Sequence, residues 1–281
     1  MSSRPLRLSI GQKLEAREKE CFQFLNELPL TRRYVLIGGY AVSSYQFPRY
    51  SVDLDIVLPL GELSFFRRFA ERLGFKLEGE HDVEQTYRGR SVVYGKQVGV
   101  RVGLDLLVNS VYSRQTRFAY PFPYLFENSE VREIRGRGLE AKARARVASR
   151  EMLLALKANS MRDQDMRDIL ALCFQEPLLA DVAAHLEKCP REKISENLER
   201  LDVYLSALDP RSFQGIFGTS EMVLKRSVVN CRKLLVEVRR SLGLSPTKSL
   251  SELRGVFKKK EKAVREGIRE LAREHRKEAR G

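Results

Sequence analysis

Tryptophan does not occur in the 281 residues, and histidine and cysteine number only three and four. The cysteines at 21, 173, 189 and 231 form no CxxC pair, and His81, His185 and His275 are equally dispersed, so the spacing of a zinc site is missing. Each cysteine stands among apolar neighbours and reads as a small buried hydrophobe rather than a redox or ligand group. Long apolar runs are also lacking. No stretch approaches the roughly 20 residues that cross a bilayer, and the opening MSSRPLRLSIGQKLEAREKE has no apolar signal segment. The expected address is the cytoplasm, with no membrane partner.

Negative charge is in deficit. Lys and Arg number 51 against 37 Asp and Glu, a formal net charge of +14. Such an excess attracts polyanions and makes nucleic acid the natural large partner, although a surface rich in Lys, Arg and Glu also suits a thermophile. With 43% hydrophobic residues the chain can fill a globular core.

Hydrophobic periodicity divides the chain. Leu14, Cys21, Phe24, Leu25 and Leu28 recur at helical intervals before Pro29. Tyr34-Val-Leu-Ile37 is a short β-prone run that enters Gly38-Gly39, and a helix over Tyr40 to Phe47 follows, ending before Pro48. Ser51 to Leu58 reads as a second strand, Leu63 to Leu73 as a helix, and Glu84 to Tyr94 and Val98 to Val108 as further strands. From Ser149, a candidate N-cap, the pattern is helical: to Met161, then over 165–174, 178–188, 195–208 and 220–242. The expected architecture is α+β: a mixed-sheet domain over 1–145, a helical domain over 146–244 and a basic helical tail over 245–281.

In Asp53-Leu-Asp55 the carboxylates alternate with apolar residues, so both share one face of a strand. Two adjacent carboxylates repel unless cations stand beside them, and the pair suits divalent ions held on polyphosphate oxygens. Alone, the pattern is more simply two solvated aspartates on an edge strand. Gly38-Gly39 adds a turn at which backbone N–H groups can approach a phosphate at a helix start, or simply a tight connection. Asp105 interrupts the apolar strand Val100 to Val108 and needs either a cation such as Arg101 or a place beside Asp53 and Asp55, where it could assist an attacking hydroxyl.

Ile37-Gly38-Gly39, thirteen residues, Asp53-Leu54-Asp55-Ile56 and a later Asp105 together resemble the DNA polymerase β type nucleotidyltransferase superfamily. GGYAVSSYQFPRYSVDLDIVL is similar to the AbiEii/AbiGii toxin group, with Arg49 two residues before Ser51. The segment Glu151 to Leu172 resembles that group's helical segment and implies Lys157 as a triphosphate contact and Asp168 as a further acid. Gln164-Asp165 departs from the usual Lys-Asp pair, and Tyr40 from the usual small polar residue. Read from the residues alone, Lys157 could equally extend its ammonium to solvent, and Asp168 could pair with Arg162 or Lys157.

The resemblance implies a fold with Asp53, Asp55 and Asp105 on Mg²⁺ or Mn²⁺, and Gly38, Gly39, Arg49, Ser51 and Lys157 on a nucleoside triphosphate. It implies transfer of a nucleoside monophosphate to an RNA (tRNA-like) or protein hydroxyl, with pyrophosphate released, by a toxin with a cognate antitoxin. A catalytically silent module that binds nucleic acid or a protein is the alternative. Two basic segments stand apart from this site. In Lys142 to Arg146 cations alternate with alanines, which on a strand lines them up for a phosphate backbone or for water. In Lys258 to Arg280 acids and bases fall at helical spacing, as on a solvated charged helix.

Overall fold

The computed structural model describes residues 9–45 and 47–244. The tail expected over 245–281 lies outside the described residues. In chain order the elements are α1 (Ile10–Glu27), β1 (Val35–Ile37), α2 (Gly38–Ser43), β2 (Asp53–Leu58), α3 (Leu60–Arg72), β3 (Lys76–Glu84), β4 (Gly89–Gln97) and β5 (Arg101–Val108). The small hairpin β6 (Ser110–Ser113) and β7 (Phe118–Pro121) follows, then α4 (Phe122–Glu127), β8 (Ser129–Arg135) and β9 (Lys142–Ala148). Six helices complete the described chain: α5 (Arg150–Ser160), α6 (Asp163–Leu172), α7 (Leu179–Leu186), α8 (Arg191–Ser206), α9 (Pro210–Phe217) and α10 (Glu221–Ser241).

The fold is α+β, as expected: a seven-stranded mixed sheet in the order β3-β4-β5-β2-β1-β9-β8, with flanking helices and a helical C-terminal half. Short apolar strands occupy its centre. All three residues of β1 are buried, and β2 buries Leu54, Ile56, Val57 and Leu58. β1 runs antiparallel to β2 and parallel to β9, while β2 runs parallel to β5. The sheet continues through β9 to Ala148 and passes directly into α5, whose expected cap Ser149 accepts a hydrogen bond from the Met152 N–H. One apolar cluster extends from Cys21 on α1 to Leu242 beyond α10 and joins both halves. Phe47 packs edge-on against Phe174 and Phe217 at that junction. All four cysteines are free and buried.

Several boundaries differ from the sequence expectation. Glu84 to Tyr94 does not form one strand: the chain turns between β3 and β4, and Arg88 takes the left-handed conformation at φ 54°. β3 gave little signal because most of its side chains are exposed, leaving no apolar face to alternate against. α2 stops at Ser43, well before Pro48, and Ser43 and Ser44 turn their hydroxyls back onto the carbonyls of Gly39 and Ala41. The alternation of Lys142, Arg144 and Arg146 with alanines does form a strand. Ala143 and Ala145 are buried there, while Lys142 and Arg144 are exposed and Arg146 half-buried.

Candidate active site

β1 delivers the chain into a glycine turn. Gly38 has φ +69°, a conformation that costs an L side chain about 1–2 kcal/mol. A Cβ at Gly38 would also collide with Asp55 Oδ2, so the glycine permits backbone and carboxylate to meet. At Gly39 a Cβ would strike Ser51 Oγ and lie 2.9 Å from both terminal nitrogens of Arg49. Gly38, Gly39, Arg49, Ser51 and Asp55 therefore form one packed group around the start of α2.

The parallel register of β2 and β5 brings the acids together. Asp55 lies opposite Asp105, and Asp53 opposite Gly103. Neither Asp55 nor Asp105 has a protein hydrogen bond or ion pair among the described residues. Arg101, a candidate partner for Asp105, instead bonds Asp53 at 3.2 Å and Glu78 at 2.7 Å. Burial raises the Asp55 pKa, the charge of Asp105 raises it further, and Lys157 only partly offsets them, giving about 7. The Asp105 carboxyl is raised as well, by burial and then by the charge of Asp53. Such a set has a deficit of positive charge. Among the described residues no group of three or more His, Cys, Asp or Glu side chains closes into a cage of protein ligands alone. Asp53 leans over Gly103, where Arg101 donates to it, and its charge still acts on both Asp55 and Asp105. Two unpartnered carboxylates with open coordination fit Mg²⁺, which keeps several waters and takes phosphate oxygens beside one or two protein carboxylates.

Lys157 reaches the same cleft from α5. It is 5% exposed, and its Nζ lies 2.8 Å from both Asp165 and Asp168, so its ammonium does not extend to solvent. Burial pulls its pKa down, but the two carboxylates outweigh this and leave it above the ordinary lysine value. Asp168 is buried and accepts two hydrogen bonds of 2.8 Å from Arg49, a two-pronged pair, in addition to the Lys157 contact. Arg49 also donates to the Tyr50 carbonyl. Asp168 thus belongs to the ionic network behind the cleft, and Lys157 lies between that network and Asp55.

Asp165, noted in the sequence only as a departure from a family pattern, occupies the centre of this network. Its carboxylate accepts from Lys157, Ser160 and both the backbone and guanidinium of Arg162. Burial alone would raise its pKa, but the charges and hydrogen bonds of Lys157 and Arg162 outweigh it and bring it to about 2. Three cations, Arg49, Lys157 and Arg162, face two carboxylates, Asp165 and Asp168. One positive charge remains in excess beside the acids of β2 and β5. An ammonium has three donors, so Lys157 keeps one for an anion.

A cleft of 520 Å³ opens over Gly38, Asp55, Asp105, Lys157 and Arg162. Another cavity of 530 Å³, between α2 and β8, contains none of the acids, and its Arg132 is engaged by Glu130, the Ser44 carbonyl and the Tyr45 ring. The acid-lined cleft is therefore the candidate site.

Residues 22–196, from within α1 into α8, match the family described as Nucleotidyl transferase AbiEii toxin, Type IV TA system. The chain belongs to the AbiEii nucleotidyl transferase toxin family. The match spans well over half of the 281 residues and contains both the Gly38 to Asp55 element and the Lys157 to Asp168 segment. No curated protein matches the chain. The AbiEii assignment agrees with the resemblance carried by the glycine pair and DLD, and with the mixed sheet on which these residues lie. Among the described residues no helix is long and apolar enough to cross a membrane.

Proposed function

We propose that this AbiEii-family chain transfers a nucleoside monophosphate from a nucleoside triphosphate to a hydroxyl of an RNA, tRNA-like in character, or of a protein. The observation that carries the reading is the pairing of Asp55 opposite Asp105 on parallel strands, beside Gly38 and below Lys157. Asp53, Asp55 and Asp105 would hold Mg²⁺ or Mn²⁺, which when bound supplies positive charge to the triphosphate and to departing pyrophosphate. Backbone N–H groups of the turn at Gly38 and Gly39 would meet phosphate oxygens, with Ser51 packed on the turn. Lys157 contributes its remaining donor to the same oxygens. Asp105, with its raised pKa, is the base toward which an acceptor hydroxyl turns its proton. Arg49 and Asp168 support the turn and the lysine from behind. The net charge of +14 and the cation row of β9 favour RNA as acceptor. The family's toxin character fits a cognate antitoxin as partner.

The test is incubation with each of the four labelled triphosphates, Mg²⁺ or Mn²⁺, and total tRNA or protein. Label is expected in one polymer class, and none with Asp53→Ala or Asp55→Ala. If no triphosphate binds in the presence of either metal, and RNA binding is indifferent to Asp53→Ala, the chain is instead a silent binding module of the same fold.

A further inference from the structure

The cleft has a second end that the acids do not occupy. Beyond Asp105 its wall is the β6–β7 hairpin, which contributes Val111, Tyr112, Arg114 and Gln115. Leu107 and Leu153 line the cleft beside them. One cavity thus joins a charged end suited to phosphates to an end with an apolar wall, an aromatic ring, an amide and a guanidinium.

The hairpin is held rigidly. Ser113 Oγ donates to the Asn159 carbonyl at 2.9 Å, and Thr116 Oγ1 donates to Asn159 Oδ1 at 2.5 Å, with all three residues buried. Asn197 of α8 donates to the same Asn159 carbonyl at 3.2 Å and to that of Ala158 at 2.8 Å. The hairpin tip is therefore tied through the end of α5 to the helical half. Between the anchors Ser113 and Thr116, Arg114 and Gln115 are exposed, and neither they nor the Tyr112 hydroxyl has a hydrogen-bond or ion-pair partner among the described residues. Polar groups without partners on a fixed tip, facing an apolar wall, form a recognition surface rather than a packing device.

We propose that the β6–β7 hairpin is the nucleobase-reading wall of the nucleotide site, with Tyr112 supplying a face for the base and Gln115 and Arg114 hydrogen-bonding its edge. The inference rests on the nucleotidyl transfer reading above. A cleft of 520 Å³ takes one nucleotide rather than a folded polymer. With the triphosphate at Gly38 and Lys157, the hairpin end is where the base lies. An amide presents both a donor and an acceptor and a guanidinium only donors, so the two discriminate among bases by edge pattern. An aromatic ring accepts any base.

The experiment measures binding of the four nucleoside triphosphates and of inorganic tripolyphosphate to the full chain with Mg²⁺, for the natural protein and for Tyr112→Ala, Tyr112→Phe, Arg114→Ala and Gln115→Ala. Thermal unfolding confirms that each variant folds. Tyr112→Ala is expected to weaken all four nucleotides by roughly tenfold, while Tyr112→Phe stays close to the natural protein. Gln115→Ala and Arg114→Ala are expected to compress the order of preference among the bases. Tripolyphosphate binding is expected to be unchanged throughout. If the variants keep the affinities and base order while Asp55→Asn abolishes binding, the hairpin assignment falls and the transfer reading stands. Equal losses for tripolyphosphate would place the hairpin on the phosphates and also overturn it. If the natural protein binds no nucleotide, both readings fall.

Discussion

Arg49 and Asp168, 119 positions apart in the chain, are joined by two hydrogen bonds of 2.8 Å. One residue follows α2 beside the glycine turn, and the other lies on α6. The pair fastens the helical half to the turn at Gly39, and through Asp168 it orients Lys157. Removing Arg49 leaves the buried Asp168 with Lys157 as its single cationic partner and two acceptor positions unfilled, so Arg49→Ala should cost about 1–3 kcal/mol. Arg49→Lys should lose less stability but still forfeit the two-pronged geometry. Urea unfolding checks the stabilities. Nucleotide transfer by Arg49→Lys should fall mainly in kcat, because Lys157 loses its orientation while the acids remain.

Asp55 predicts an unusual dependence on pH. Its folded pKa, about 7, lies above its unfolded value. The fold therefore binds this proton more tightly than the unfolded chain does. Without divalent metal, stability should fall as pH rises from about 4 to about 7, and the full cost, roughly 2–4 kcal/mol, should be present above that. Asp55→Asn should abolish this slope, raise metal-free stability at pH 8 and eliminate transfer. In the natural protein the rise in Tm produced by Mg²⁺ should be larger at pH 8 than at pH 6, where the proton competes.

Asp165 has the opposite sign. Its folded pKa, about 2, lies below the unfolded value. It contributes stability that is present above pH 4 and lost as pH falls through about 2, on the order of 2 kcal/mol. Asp165→Asn should remove that acid-sensitive contribution and leave Lys157 with Asp168 as its single carboxylate. Acid titration followed by circular dichroism separates the variant from the natural protein.

Gly38→Ala combines a left-handed backbone with a clash against Asp55 Oδ2. A loss of at least about 1–2 kcal/mol is expected from the backbone alone. Transfer should fall further than stability, because the displaced carboxylate is one of the acids. Parallel measurement of Tm and of label incorporation distinguishes the two effects.

The exposed cations of β9 form the last test. Lys142→Glu with Arg144→Glu should weaken RNA binding and lower the magnitude of its salt slope by about one for each phosphate that the strand no longer neutralises. Triphosphate binding in the acid-lined cleft should be unchanged. An unchanged salt slope would assign the row to ordinary solvation.

The sequence by itself determined the local features. Alternation placed Asp53 and Asp55 on one strand face, a glycine pair marked the turn after β1, and the alternation of cations with alanines over 142–146 put the cations on one face should that segment be a strand, as it is in β9. Each depends on periodicity or backbone sterics within a few residues. Only the tertiary structure decided which charges meet. Arg101 could have neutralised Asp105, yet the parallel register gives it Asp53 and leaves Asp105 beside Asp55. Lys157 could have reached solvent, yet the packing of α5 on α6 buries it between two carboxylates. The β6–β7 hairpin was illegible because its four-residue strands are too short to show a period, and its position depends on Asn159, more than forty residues away. Pairings at such separations are selected by the burial of the whole core, which no short window of sequence contains.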